Sequence, residues 1–238
     1  MSVRGETLVE DRVVAESLIT LNGGNVSVTL DGAGGRIVRL RHEEAGDDYI
    51  SAATGPGGLE VYDELDRVLY SDLTGESSAT VVRRGPAHVE FFKEFAGAPF
   101  TLLCRWWSAA DGVRVTADAM LRSGEKARSV RISIVAPTTP GLMTWAPAYP
   151  APTAAEENPT PYCYLADEKG RSRTGIPMLT LLHRGISGMS MVMPLEIPKV
   201  QLNMGVEPAD PTPWYKPERI PAINAGAEIG RASCRERV

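Results

Sequence analysis

Residues 19–50 read ITLNGGNVSVTLDGAGGRIVRLRHEEAGDDYI. Within them Val26, Val28 and Leu30 alternate with Ser27 and Thr29, the period of two that sets one side of a strand on a core and the other toward water. Asn22-Gly23-Gly24-Asn25 stands ahead of that strand as a hairpin turn, because glycine and asparagine tolerate positive φ. Asp31-Gly32-Ala33-Gly34-Gly35 supplies a second, looser turn. Two turns between short apolar segments predict a three-stranded meander with Val28, Leu30, Val38 and Leu40 on its core face.

The same pattern continues outward. Val113, Val115, Ala117, Ala119 and Leu121 alternate with Arg114, Thr116, Asp118 and Arg122, and Val130, Ile132 and Ile134 with Arg131 and Ser133. Val89, Phe91 and Phe95 face away from His88, Glu90 and Glu94. Gly85-Pro86, Ala110-Asp111-Gly112 and Ser123-Gly124 punctuate these segments at hairpin spacing. Further strands are expected over 176–182, 186–192 and 200–204. Half-buried strands of this kind belong to antiparallel sheets, so an all-β sandwich or barrel is expected. The one helical candidate, Glu6–Ser17, has no wide apolar stripe.

Prolines interrupt this rhythm from Pro137 to Pro161, where Leu142–Trp145 reads as packed and Thr153–Asn158 as solvated. Proline cannot donate to a ladder, so a long loop across one sandwich is expected here. Residues 207–227 are again proline-rich and read as a linker.

In its order of strands and turns, the segment Leu21-Asn22, Val26–Asp31, Gly35-Arg36-Ile37, Leu40 and Gly46-Asp47-Asp48-Tyr49-Ile50 resembles the opening of galactose mutarotase-like β-supersandwich domains. Such domains stand at the front of many glycoside hydrolases and in some polysaccharide lyases. The resemblance implies an antiparallel β-supersandwich over 19–206, behind a lead-in over 1–18. It further implies an accessory, carbohydrate-binding role beside a C-terminal catalytic domain of the same chain. An aldose 1-epimerase-like enzyme with a His/Glu pair and a non-catalytic structural or protein-interaction sandwich are the alternatives.

The final residues, Ile229–Val238 (IGRASCRERV), resemble the in-frame translation of a sequencing-library ligation adapter, and Glu228 can share its first codon. The tail over 228–238 is therefore expected to be non-native, with the natural chain cut before its catalytic module. Setting residues 229–238 aside moves the net charge from -5 to about -7. An acidic chain without a basic stripe points away from nucleic acid and anionic membranes. No stretch has the length and apolarity of a membrane-spanning helix, and the charged start, MSVRGETLVEDRVVAESL, lacks the apolar core of a secretory signal. A cytoplasmic location is the resulting expectation. Cys104, in TLLCRWW, and Cys163, in PYCYL, have no CxxC or Cys/His neighbour and read as buried free thiols.

Chemistry-bearing candidates follow from residue type. Sugar sites set flat aromatic faces against apolar ring faces, with polar groups for the hydroxyls. Trp145, Tyr149, Tyr162, Tyr164, Trp214 and Tyr215 gather in or beside the two proline-rich stretches and are the carbohydrate-binding candidates. Hydrolysis needs two carboxyl groups about one bond, and no acid pair stands out as catalytic. Asp63, Glu64 and Asp66 read as a solvated turn. His42 reads as a turn residue, His88 as facing opposite the core, and His183 as a strand end. The glycine clusters lack the lysine and strand-to-helix setting of a phosphate loop, and neither metal nor cofactor is expected.

Overall fold

The alternation in residues 19–50 becomes four strands rather than three. In the computed structural model, β1 (Ile19–Gly23), β2 (Val26–Leu30), β3 (Ile37–His42) and β4 (Asp47–Ile50) form an antiparallel meander in chain order. The structure describes residues 18–73, 76–137, 141–145, 151–154, 162–165, 178–183, 187–192, 200–206 and 222–229. The helix candidate at Glu6–Ser17 lies outside them. A register shift between Thr29 and Leu30 pairs Leu30 with Ile37. Ile37, not the expected Val38, therefore joins the core, because one extra residue in a ladder turns every later side chain over.

A second antiparallel meander holds β7 (Ser77–Gly85), β8 (His88–Phe95), β9 (Phe100–Ala109) and β10 (Gly112–Leu121). Cys104 and Trp106 of β9 are buried and Trp107 is half-buried, so the adjacent indoles point opposite ways. The third sheet has six strands, in the order β14 (Tyr162–Leu165), β17 (Val200–Val206), β18 (Ala222–Ile229), β11 (Val130–Pro137), β5 (Gly58–Asp63) and β6 (Val68–Ser71). The fourth runs β13 (Thr153–Ala154), β12 (Leu142–Trp145), β15 (Met178–His183) and β16 (Ser187–Val192). All pairings are antiparallel, and the described residues contain no helix.

Two stretches read as loop or linker contribute strands. The proline-rich span 137–161 holds β12 and β13, whose residues contain no proline; Pro137 itself closes β11. Of the stretch 207–227 read as a linker, residues 222–227 belong to β18, which runs on to Ile229 and lies between β17 and β11. Residues 207–221 are outside the described residues.

The first three sheets share one core. Leu21, Leu30, Ile50, Leu59, Val61, Phe91, Phe100 and Leu102 are almost fully buried within it. Each such side chain stabilises the fold by about 1.5–3 kcal/mol relative to exposure. Gly35, at φ 63°, lies where a Cβ would meet the Phe91 ring at 2.6 Å, which explains the glycine in this turn. Asp31 closes the turn by accepting from Gly34 N–H and from Arg36 Nε at 3.0 Å. Burial pushes the Asp31 carboxyl up, but these donors outweigh it and hold the group below its ordinary value.

Two ionic clusters tie distant segments together. Lys93 and Asp72 both have fully buried side chains and meet at 2.8 Å. Lys93 Nζ also donates to the Gly34 carbonyl and to Ser77 Oγ; Asp72 accepts from Leu59 N–H at 2.7 Å and Ser77 Oγ at 2.8 Å. Arg128 reaches Asp63, Asp66 (2.6 Å) and Glu125 (3.1 Å). Asp63, expected in a solvated turn, is fully buried: it accepts from Arg128 and from Leu65 N–H at 2.9 Å. Its partner lies far along the chain, beyond the reach of a local reading.

Candidate functional site

The six aromatic candidates do not gather in one sheet. Trp145 is half-buried at the end of β12, in register with Thr180 of β15. Tyr162 and Tyr164 occupy alternate positions of β14, the end strand of the six-stranded sheet, opposite Met204 and Leu202. Tyr149, Trp214 and Tyr215 lie outside the described residues.

A polar cluster forms where the β15–β16 hairpin meets β4. His183, the last residue of β15, pairs in register with Ser187, the first of β16. Asp47 and Tyr49 occupy alternate positions of β4 and so share one side of that strand. Ser187 Oγ donates to Asp47 Oδ2, and its oxygen lies 3.0 Å from Tyr49 Oη. With the serine proton committed to the carboxylate, the phenol is the donor in the second bond. The relay thus runs Tyr49 O–H to Ser187 O–H to Asp47. Burial is the chief cause that pushes the Tyr49 phenol up; its contacts with Ser187 and the His183 backbone work against that, and Asp47 adds to it.

His183 faces the other oxygen of the carboxylate. Its Nδ1 lies 3.4 Å from Asp47 Oδ1, and its ring centroid is 6.0 Å from that of Tyr49 at an interplanar angle of 57°. Nδ1 is buried and has no hydrogen bond, so the contact is close without being aligned. The side chains of His183 and Asp47 remain 17% and 25% exposed. An imidazole set beside an anchored, partly accessible carboxylate is the type of pairing that general acid–base chemistry uses. The other histidines differ. His42 Nδ1 accepts from Ala45 N–H at 3.2 Å in the β3–β4 turn, and His88 packs over Gly85, with its Nε2 buried and unpartnered.

A second polar feature crosses the six-stranded sheet. In β5, Leu59 and Val61 belong to the core, while the alternate residues Glu60 and Tyr62 are also buried. Ser71 Oγ donates to Glu60 Oε1 at 2.6 Å. The register row through Glu60 runs from Ser71 to Ser133, Gly226, Asn203 and Cys163. A buried carboxylate in mid-strand is costly unless hydrogen-bonded, so its position marks a side of the sheet unlike the apolar core side.

Sequence reasoning missed both features. The spacing of Asp47 and Tyr49 within a strand was legible, but Ser187 stands 138 residues from Tyr49. Nothing in the sequence around Glu60, in LEVYD, singles it out. Among the described residues no group of three or more His, Cys, Asp or Glu side chains could hold a metal ion. No helix among them is long and apolar enough to cross a membrane.

These features define an all-β antiparallel sandwich with polar groups placed between and across its sheets. Its architecture is similar to that of a galactose mutarotase-like protein from Lactobacillus casei, with a TM-score of 0.50 and 11% sequence identity. The alignment covers 89% of this chain and 87% of that protein. The fold is thus the galactose mutarotase-like β-supersandwich. No protein-family model matches the chain, and no curated protein sequence matches it.

Proposed function

We propose that this protein is a carbohydrate-binding β-supersandwich that accompanies a glycoside hydrolase catalytic domain of the same chain, and that binding rather than hydrolysis is its own task. The observation that carries this reading is how four aspartates are engaged. Asp31, Asp48, Asp63 and Asp72 are each held by an arginine or lysine, in contacts that tie turns and strands together. Acids so engaged brace a scaffold; they do not flank a scissile bond. The sugar-contacting set under this reading is Trp145, Tyr149, Tyr162, Tyr164, Trp214 and Tyr215. The fold of the Lactobacillus casei protein supports a carbohydrate assignment through its name alone.

Calorimetric titration with a panel of mono- and oligosaccharides, run beside chromogenic glycosidase assays on the same protein, tests it. Binding without turnover is the expected result. Robust hydrolysis overturns the accessory role, and silence across the sugar panel overturns the carbohydrate assignment.

The Asp47–His183 pair favours a second reading, an aldose 1-epimerase-like activity. The carboxylate there is an aspartate, not the glutamate expected from the resemblance. Ring opening needs one group to take the proton of the anomeric hydroxyl and another to protonate the ring oxygen. Asp47 and His183 would fill those roles. Polarimetry of freshly dissolved α-aldoses decides between the readings. Accelerated mutarotation that falls by about 10²-fold or more in His183→Asn, the scale of one acid–base group, establishes the second. No acceleration by the unaltered protein removes it.

A further inference from the structure

We draw no further inference here: the strongest candidate, the apolar diagonal of Val82, Phe92, Leu103 and Met120 that crosses the outer face of the β7–β10 sheet between the Glu90–Arg105–Asp118 and Glu94–Arg122 ion pairs, carries nothing because nothing in the structure shows what covers it.

Discussion

Lys93–Asp72 and His183–Asp47 each set a basic group beside an aspartate, yet their surroundings are opposite. The first pair is sealed, and the ammonium has three partners in Asp72, Gly34 and Ser77. Burial pushes the Asp72 carboxyl up, with Lys93 pulling it down. The second pair keeps part of each side chain in solvent and leaves one ring nitrogen without a hydrogen bond. A saturated pair can only hold position. A pair with a ring nitrogen still without a hydrogen bond and with partial exposure keeps room for a further partner.

Removing one half of the sealed pair is the sharpest way to break that contrast. Lys93→Met leaves Asp72 buried without its cation and is expected to cost about 3–5 kcal/mol in urea unfolding. Replacing both, as Lys93→Met with Asp72→Leu, should cost less than the single change, although the Leu59 N–H then loses its acceptor. A loss below about 1 kcal/mol in the single variant would show that water reaches the pair.

Thiol labelling probes the same region. Burial pushes the Cys104 thiol up to about 12, with nearby Lys93 working against it. At neutral pH the native protein should therefore leave Cys104 unlabelled by iodoacetamide, and urea should expose it, as read by peptide mapping. Labelling at native rates would mean that this interior opens readily.

The open cluster should respond more gently. Tyr49→Phe removes the phenolic donor to Ser187 and is expected to cost about 0.5–1.5 kcal/mol, measured by the same unfolding experiment. A cost equal to that of Lys93→Met would erase the distinction between the two sites.

The smallest effect belongs to the surface. Burial pushes Asp48 up, but hydrogen bonds from Arg39 and Arg41 outweigh it and hold the carboxyl below its ordinary value. A depressed native value means that the contribution is present above the unfolded value of about 3.9 and is lost as pH falls through the native one. Asp48→Asn should accordingly cost no more than about 1 kcal/mol at pH 7 and progressively less in acid, measured by thermal unfolding across that range.

Local pattern carried much of the fold and little of the candidate site. Val26–Leu30, Gly112–Leu121 and Val130–Pro137 form strands because alternation is written within a few residues. Val38 shows the limit: a single shift in the ladder handed its place to Ile37, and no composition rule announces a bulge. Prolines masked Leu142–Trp145, a strand they flank without entering. Asp63, Asp47 and His183 take their character from partners far along the chain, and pairing of that kind is decided by topology.

One end of the sandwich is welded backbone to backbone. A Cβ at Gly23 would stand 1.9 Å from the Gly112 carbonyl oxygen, where the β1–β2 and β9–β10 hairpins meet. At Gly97, in the β8–β9 turn, a Cβ meets nothing within 4 Å. Anyone wishing to display a peptide epitope or attach a reporter on this scaffold should splice it beside Gly97 and leave the Gly23–Gly112 seam intact.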